Sequence, residues 1–233
     1  MKIDFDDFVG DYRKLHSKQM ITSCGVESEY FARMKVEIIK QRQKNFDKPI
    51  KVLDFGCGDG VVCQYFLSLF ENIEYYGIDI SKRSIEVAKQ KYSKMTNVHF
   101  SLYDGEKIPF EDNTFDILIV ACVFHHIHGD DIRSNILNEC VRVKKEKGKM
   151  YIFEHNPWNF LTNKLVNECP FDEDAELISS IKLCHYLKNV NARKIKTKYI
   201  VFFPRKGIFK ILLPIERILG WCVLGGQYYC EVE

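Results

Sequence analysis

The chain has 233 residues, of which 46% are hydrophobic and 28% are charged. This length and apolar content suffice for one sizeable core, and no Pro/Gly/Ser-rich linker divides the sequence. The formal net charge is only +2, with both signs interspersed. The basic field that nucleic-acid binding usually requires is therefore missing from the sequence, and neither RNA nor DNA is an expected partner.

Two features of the sequence bear on where the protein is found. The first residues are acidic and lack an apolar signal segment, and every uncharged apolar stretch is too short to span a bilayer. The nine cysteines are an odd number and contain no Cys-x-x-Cys pair, which argues against a cysteine zinc site. We expect a soluble, cytoplasmic protein in a reducing compartment, either a monomer or a homodimer.

The predicted elements alternate between strands and helices. The strands are Lys51–Phe55, Ile73–Asp79, Val98–Leu102, the apolar run 117–124, Lys149–Glu154, Tyr199–Phe203 and Gln227–Val232. The helices are Glu27–Gln43, Lys82 to about Met95 with Ser81 as N-cap, and Asp130 to about Val143 with Gly148 at its end. This alternation predicts a single Rossmann-like α/β domain, a doubly wound, mostly parallel sheet with helices on both faces.

A glycine loop follows the first predicted strand. Residues 52–60 read Val-Leu-Asp-Phe-Gly-Cys-Gly-Asp-Gly, a pattern typical of a loop whose backbone approaches a nucleoside cofactor closely. A dinucleotide fingerprint would need a third glycine at position 61, which is Val61. The carboxylate of Asp54 would also repel a pyrophosphate, whereas it attracts a cation. S-adenosylmethionine carries an ammonium and a sulfonium but no phosphate, so the charge favours it over NAD.

A second acidic residue, Asp79, ends the second predicted strand. In nucleotide-binding βαβ units a carboxylate about 20 residues beyond the glycine loop binds the ribose hydroxyls, and the spacing from Asp54 to Asp79 agrees. The competing interpretation is that Asp79 only caps the helix that begins after Ser81.

Four motifs in order carry a family resemblance: the glycine loop, Gly-Ile-Asp-Ile-Ser at 77–81, Asp-Gly-Glu-Lys-Ile-Pro-Phe at 104–110, and Thr-Phe-Asp-Ile-Leu at 114–118. Over roughly residues 50–154 the chain resembles the class I S-adenosylmethionine-dependent methyltransferases, in particular the small-molecule branch with the quinone-biosynthesis enzymes. The resemblance implies that Asp54, Gly56 and Gly58 hold the methionine end of the cofactor. Asp79 would bind its ribose. Asp104 would receive the adenine amino group beside Gly105, although Asp-Gly is also a common turn.

The resemblance has further implications for the fold and the cofactor site. Cys57, Ile80 and Ala121 adjoin the motif positions and are added as cofactor-binding candidates. The last two strands would form an antiparallel edge hairpin. Residues 1–48 would form an N-terminal helical lid, and 49–233 the cofactor-binding domain. Within the lid, Tyr12 or Tyr30 could contact the substrate, with packing on the sheet as the alternative.

Histidines cluster where the fourth and fifth predicted strands end. His125, His126 and His128 follow the fourth strand, and His155 follows the fifth. Because methylation of a hydroxyl requires removal of a proton, His126, His125 and His155 are the candidate general bases. A backbone-ordering role is the alternative. We expect no metal here, because adjacent residues at a strand end point apart and no carboxylate–histidine helix pair accompanies them.

The segment after the fifth predicted strand contains the remaining substrate candidates. Asn156, Trp158 and Asn159 lie in a polar and aromatic stretch, residues 155–162, that is predicted to be irregular, and loops at this position shape acceptor pockets. They could bind a sugar or another polar acceptor by hydrogen bonds and stacking. A plain turn started by Asn-Pro is the alternative.

The last feature is an apolar segment at residues 206–221. Seven apolar residues recur at helical spacing, and Pro214 divides the run. They are Ile208, Ile211, Leu212, Ile215, Ile218, Leu219 and Cys222. The pattern predicts packing on the protein's own core or on a dimer partner. Its neighbouring basic residues would also suit weak contact with a membrane surface or a lipid-linked substrate.

Together these observations predict an S-adenosylmethionine-dependent methyltransferase that acts on a small molecule, at an oxygen atom. The acceptor would be a sugar or glycan, a phosphorylated metabolite or an isoprenoid-linked ring. Two alternatives are a non-catalytic S-adenosylmethionine-binding partner subunit and an NAD-dependent oxidoreductase, the latter opposed by Val61 and Asp54.

Overall fold

The structure, a computed structural model, describes residues 21–22, 25–43 and 49–233. Tyr12 and most of the predicted lid lie outside these residues. The part of the lid that is described contains the expected amphipathic helix, which spans Ser28–Arg42.

A seven-stranded sheet forms the centre of the described chain. Its strands are β1 Ile50–Phe55, β2 Ile73–Asp79, β3 Val98–Leu102, β4 Phe115–Ala121, β5 Lys144–His155, β6 Lys196–Ile200 and β7 Gln227–Val232. They lie in the order β3-β2-β1-β4-β5-β7-β6. Neighbours from β3 to β5 are parallel, and β7 is antiparallel to both β5 and β6. The predicted Rossmann-like α/β fold is confirmed, with the antiparallel strand between β5 and the edge strand β6.

Helices cover both faces of this sheet. They are α1 Ser28–Arg42, α2 Val61–Leu69, α3 Lys82–Lys91, α4 Asp130–Val143, α5 Phe160–Asn167 and α6 Ser180–Asn189. Three 3-10 segments, Phe124–His126, Pro170–Asp172 and Gly207–Arg217, complete the regular structure of the described residues. None of the helices in this part of the chain is long and apolar enough to cross a bilayer.

Two hydrophobic cores lie on opposite faces of the sheet because side chains alternate along each strand. Leu53 of β1 belongs to the core beneath α4 and α6, whereas its neighbour Val52 belongs to the core beneath α1, α2 and α3. The central strands β1 and β4 are apolar on both faces, as expected for parallel strands covered by helices on both sides. The cores fix the strand ends that carry the motif residues.

Several predicted boundaries are wrong, and β4 ends at Ala121 instead of residue 124. Gly148 lies within β5, not at the end of α4, and a Cβ there would come within 2.7 Å of the carbonyl oxygen of Phe115. β6 ends three residues earlier than predicted, because Val201 adopts a left-handed φ of 63° that stops the extended chain. Helix α3 ends at Lys91, not near Met95.

Candidate active site

Asp54 occupies the carboxyl end of β1 and is almost completely buried. The hydroxyl of Tyr75 on β2 donates a hydrogen bond to its Oδ2, while Oδ1 is buried without a hydrogen-bond partner among the described residues. Burial, and to a lesser extent the charge of Asp79, raises the pKa of Asp54 to about 7. A buried carboxylate with an unpaired oxygen is costly unless a donor or a cation reaches it. This geometry fits the positively charged end of S-adenosylmethionine.

The glycine loop lies directly against the turn that follows β4. Gly56 has a φ of 74°, and a Cβ at this position would lie 2.4 Å from Cγ2 of Val123. The amides of Gly56 and Cys57 both donate to the carbonyl oxygen of Ile78, at 2.8 and 3.1 Å. Only glycine combines this backbone conformation with such a close approach. The predicted cofactor loop and the predicted histidine region are therefore in contact.

Asp79 links the glycine loop to the start of α3. Its Oδ2 accepts a hydrogen bond from the amide of Gly58 at 2.8 Å, and its Oδ1 accepts one from the amide of Ser81 at 2.9 Å. Ser81 itself caps the helix, because its hydroxyl accepts from the amide of Ser84. Capping alone therefore does not account for the position of the Asp79 carboxylate.

The turn at Asp104 follows β3 at the same end of the sheet. Its Oδ1 accepts hydrogen bonds from the amides of Glu106 and Lys107, at 2.9 and 3.2 Å, and Gly105 has a φ of 89°. The Asp-Gly turn that the sequence offers as the alternative is thus present. Ile80 is 58% exposed just beyond β2, and the amide of Tyr103 donates to the carbonyl oxygen of Asp79 at 2.8 Å, so the Asp104 turn lies beside the end of β2.

His125 and His126 lie in the 3-10 turn after β4, where Glu154 of β5 holds them. Nδ1 of His125 is 2.7 Å from Oε2 of Glu154, and Oε1 of Glu154 accepts the amides of Val123 and Phe124, at 3.1 and 2.8 Å. Both His125 and Glu154 are fully buried. A buried carboxylate with three donors fixes both the turn and the imidazole orientation.

Acidic residues from a distant segment complete the histidine cluster. Oδ1 of Asp172 lies 3.7 Å from Nε2 of His125 and 3.5 Å from Nε2 of His126. Oδ1 of Asp174 lies 3.8 Å from Nδ1 of His126, and His128 lies near Asp174 and Glu176 at 3.6 and 3.3 Å. We call His125, His126, Glu154 and Asp172 the histidine–carboxylate cluster.

The two adjacent histidines of this cluster titrate in opposite directions. Burial alone would lower the pKa of His125, but Glu154 and Asp172 raise it to about 10. Burial and the positive charge of His125 lower the pKa of His126 to about 4. At neutral pH His125 is therefore a cation in an ion pair, while His126 is neutral and able to accept a proton.

Cys122 and Lys35 form a second polar pair beside the cluster. The ammonium of Lys35 donates to Sγ of Cys122 at 3.1 Å, and Cys122 adopts a left-handed φ of 59°. Burial raises the pKa of the Cys122 thiol, but the charge of Lys35 and the interaction with His155 outweigh burial and lower the pKa to about 6. The ring of His155, at the end of β5, lies 5.2 Å from that of His125.

The structure gives the predicted substrate residues after β5 clear local partners. Asn156 is fully buried, and its amide donates to the carbonyl oxygens of Val223 and Gly225, both at 2.7 Å. Asn159 caps α5 by accepting the amide of Thr162 and donates to a neighbouring carbonyl at 2.7 Å. Only Trp158 of the three is exposed. The predicted irregular stretch is therefore shorter than expected, because α5 begins at Phe160.

Tyr30, the described member of the predicted lid pair, contacts Arg205. Nε of Arg205 donates to the Tyr30 hydroxyl at 3.1 Å, and the guanidinium lies 5.5 Å from the centre of the Tyr30 ring. Arg205 also pairs with Glu216 at 2.7 Å. These contacts attach the beginning of α1 to the segment that follows β6.

The apolar segment near the carboxyl terminus does not pack on the protein's own core. Residues 207–217 form a 3-10 helix in which no side chain is buried. Between residues 208 and 224 the large exposed apolar side chains are Ile208, Phe209, Ile211, Ile215, Ile218, Trp221, Val223 and Leu224. The prediction of core packing is wrong here, because Pro214 and the short 3-10 turns do not present one stripe to the sheet.

Several residues of this site escaped the sequence analysis. Tyr75 and Lys35 resembled ordinary members of a strand and a helix, and Cys122 resembled a small core residue. Asp172 lies 46 residues beyond His126 in the sequence, and no spacing rule joins them. The short pattern Glu154-His155, placed after a strand that ends beside the histidine turn, was the one available signal.

Comparisons with known proteins agree with this geometry. The family described as "Methyltransferase domain" matches residues 46–199. The demethylmenaquinone methyltransferase of Thermotoga maritima is 32% identical over 60% of this chain and 56% of its own length. The malonyl-[acyl-carrier protein] O-methyltransferase of Halalkalibacterium halodurans is 31% identical over 38% of this chain and 34% of its own length. The chain spans about half the length, or less, of these curated relatives.

A solved structure shows the same fold along the whole chain. It is a Thermotoga maritima protein described as a SAM-dependent methyltransferase, possible histamine N-methyltransferase, with a TM-score of 0.67 and 17% identity over 100% of this chain and 99% of the other. The fold and the glycine-loop site define a class I S-adenosylmethionine-dependent methyltransferase. This chain belongs to the methyltransferase-domain family, similar to the quinone-biosynthesis members, and S-adenosylmethionine is its cofactor.

Proposed function

We propose that this chain is an enzyme that transfers the methyl group of S-adenosylmethionine to an oxygen of a small-molecule acceptor. The observation that carries the proposal is the contact between the cofactor loop and the histidine turn, where a Cβ on Gly56 would collide with Val123. Methyl transfer requires the donor and acceptor to be held in contact, with a base near an acceptor hydroxyl. The adjoining loop and turn supply both.

The cofactor would lie along the carboxyl ends of β1, β2, β3 and β4. When bound, S-adenosylmethionine supplies the electrophilic methyl group. Asp54 would face its cationic methionine end, and Asp79 its ribose. The remaining proposed cofactor contacts are Gly56, Cys57, Gly58, Ile80, Asp104, Gly105 and Ala121.

The proposed base is His126. The pKa of His126 is lowered to about 4, so this imidazole is uncharged at neutral pH but is a weak base. It would take the acceptor's proton as the oxygen–carbon bond forms, when that proton becomes strongly acidic. His125 is already protonated and paired with Glu154, so its role would be to orient the turn. His155 is a second candidate base because it lies at the adjoining end of β5.

The exposed apolar segment favours an acceptor that is linked to a lipid. Asn159 donates to the carbonyl oxygen of Leu224, so the end of the exposed segment 208–224 lies beside the start of α5. There Phe160 and Leu161 are also exposed. We call this combined surface the apolar apron. Apolar patches of this kind mark interaction sites, and the basic residues Lys210 and Arg217 suit anionic lipid headgroups.

Among the three predicted acceptor classes, an isoprenoid-linked ring is therefore our choice over a free sugar or a phosphorylated metabolite. Oxygen is proposed as the methylated atom, and the relative named as an O-methyltransferase supports this choice. Cytoplasmic localisation is proposed as well. None of the eight described cysteines forms a disulfide, which suits a reducing compartment.

The test is to incubate the purified chain with isotope-labelled S-adenosylmethionine and lipid extracts or polar metabolite pools. We expect label in the lipid fraction, and mass spectrometry of the product would identify the methylated atom. Cofactor binding without label transfer to any pool would favour the alternative of a non-catalytic partner subunit. Label only in the polar pool would overturn the lipid-linked acceptor, and a carbon-methylated product would overturn the oxygen assignment.

A further inference from the structure

The ligand geometry of the histidine–carboxylate cluster is that of a metal site. One ligand atom each from His125, His126 and Asp172 lies within 4.8 Å of the other two. Oδ1 of Asp172 is 3.7 and 3.5 Å from the two Nε2 atoms. Ligands about 2.1 Å from a tetrahedral ion lie about 3.4 Å apart. The observed separations are thus close to those that an ion would require.

The premise that adjacent histidines point apart is wrong for this chain. It applies to residues in an extended strand, whereas His125 and His126 lie in a 3-10 turn. Their ring centres are 4.1 Å apart, and both Nε2 atoms approach the same carboxylate oxygen. The turn therefore permits a metal site that the sequence pattern did not favour.

The residues behind the ligands also match those of known metal sites. Nδ1 of His125 is 2.7 Å from Oε2 of Glu154, which fixes the proton on Nδ1 when the ring is neutral. Nε2, which faces Asp172 and carries a proton in the metal-free ion pair, would release that proton to solvent when an ion binds. A histidine that ligates a metal almost always donates its other nitrogen to a carboxylate or a carbonyl in this way. Oδ1 of Asp174 lies 3.8 Å from Nδ1 of His126, beyond hydrogen-bond distance, and adds negative charge beside the site.

The charges and donor types decide which cations fit. Glu154, Asp172 and Asp174 place three carboxylates around two imidazoles, an environment that attracts a divalent cation. Two nitrogen ligands and one oxygen suit first-row transition metals, whereas magnesium and calcium prefer oxygen alone. Three protein ligands leave at least one coordination position open, as in catalytic zinc sites.

We propose that His125, His126 and Asp172 bind a divalent transition-metal ion, with Glu154 positioning His125. The site lies at the end of β4, beside the turn that contacts the cofactor loop. One consequence rests on the proposed function and replaces His126 as the base: with His126 bound to the ion, an acceptor hydroxyl at the open position would lose its proton more readily, because the ion would lower the pKa of that hydroxyl. The proton would pass to bulk water or to His155, and the oxygen would attack the methyl carbon as the methyl–sulfur bond breaks and S-adenosylhomocysteine leaves with that electron pair.

Metal binding can be measured without any methyl transfer. The full chain, stripped with a chelator, is titrated with Co²⁺ and followed by visible ligand-field absorption, and Zn²⁺ is then added in competition. We expect one Co²⁺ per chain, displaced by Zn²⁺. Asp172→Asn and His126→Gln should each weaken binding at least about 10-fold, and Glu154→Gln about 10- to 100-fold.

The matched control is His128→Gln, which removes a histidine from the same segment but outside the proposed ligand set. It should leave the Co²⁺ affinity unchanged. Circular dichroism of each variant shows whether it folds. Absence of cobalt absorption in the folded wild-type protein, or an equal loss in His128→Gln, would overturn the site and leave a metal-free ion-pair cluster.

Metal binding and cofactor binding can be measured independently on the same protein sample. Calorimetry with S-adenosylmethionine reports on the cofactor site whether or not metal is bound. Cobalt binding in a chain that methylates nothing supports the metal site while the proposed function fails. Full methyl transfer by the chelated protein would overturn the catalytic consequence.

Discussion

The ammonium of Lys35 lies 3.1 Å from the sulfur of Cys122 and joins helix α1 to the end of β4. Together with His155 it outweighs the effect of burial and lowers the pKa of Cys122 to about 6. A thiolate therefore lies beside the histidine–carboxylate cluster at neutral pH. Helix α1, whose Tyr30 contacts Arg205, therefore also stabilises a negative charge at the candidate active site.

We expect Lys35→Met to raise the pKa of Cys122 by at least about one unit, because the thiolate loses an adjacent cation. The measurement is thiolate ultraviolet absorbance against pH, with the Cys122→Ser variant subtracted to isolate one thiol. Lys40→Met is the control, because Lys40 lies on the same helix but over the ring of Phe70, and it should leave the pKa of Cys122 unchanged. Identical titrations for the Lys35 variant and the wild type would show that Lys35 does not stabilise the thiolate.

Asp54 should make the stability of the ligand-free protein depend on pH. Its pKa is 3.8 in the unfolded chain and about 7 in the folded one, so between these values the folded state holds the extra proton. The contribution of the protonated Asp54 to the free energy of unfolding therefore falls as pH rises and is lost above about pH 7. Asp54→Asn should be more stable than wild type at about pH 8, and the advantage should vanish near pH 4.

Denaturant unfolding at several pH values measures this difference in stability, with Glu71→Gln on an exposed turn as the control.

Ionisation of Asp54 should also favour binding of the cationic cofactor. Calorimetry should show weaker S-adenosylmethionine binding at about pH 6 than at about pH 7.5, with the affinity changing up to about tenfold per pH unit. The Asp54→Asn variant should bind S-adenosylmethionine weakly at both pH values. A wild-type affinity independent of pH would contradict the role given to Asp54.

Asp79→Ala should weaken cofactor binding by about 1–3 kcal/mol, because ribose hydroxyls would lose an ionised acceptor. The variant should also melt lower, since the amides of Gly58 and Ser81 lose their partner. Ser81→Ala separates the two effects, because it removes the helix cap and leaves the carboxylate. If both variants change the calorimetric affinity equally, Asp79 acts only through the start of α3.

The sequence predicted the part of the molecule in which local pattern determines structure. The alternation of apolar runs defined the sheet, and glycines with a carboxylate at strand ends marked the cofactor loop. β7 lies between β5 and β6 through tertiary pairing, which no local pattern encodes, and only the resemblance indicated an antiparallel strand. Val201 ended β6 early by a backbone conformation that is unusual for a β-branched residue.

The candidate site was predictable only where its residues follow strands directly. His126 and His155 were found because each follows a strand end. Asp172 reaches the cluster from a 3-10 segment beyond α5, and Lys35 reaches it from the helix before β1. Such contacts depend on how separate elements pack, and their side chains carry no mark in the sequence.

His126→Ala should lower turnover about 10²- to 10⁴-fold while leaving S-adenosylmethionine affinity nearly unchanged, because the residue acts on the acceptor. His128→Ala is the matched control, since His128 follows in the same segment and is more exposed. Steady-state rates and calorimetry are measured on both. Equal losses of turnover and affinity in His126→Ala would assign the residue to the scaffold.

The apolar apron gives the last prediction, which distinguishes a binding surface from a structural one. Ile208 and Ile211 are 76% and 75% exposed, so replacing both with Ser should leave the melting temperature nearly unchanged. The double variant should lose cosedimentation with anionic phospholipid vesicles and activity on a lipid-linked acceptor, because bulky apolar side chains provide the interfacial contact. Leu183→Ala, in the core, is the contrasting control and should cost about 2–5 kcal/mol. Dissociation of a dimer on a sizing column, with vesicle binding intact, would identify the apron as a contact between two copies of the chain.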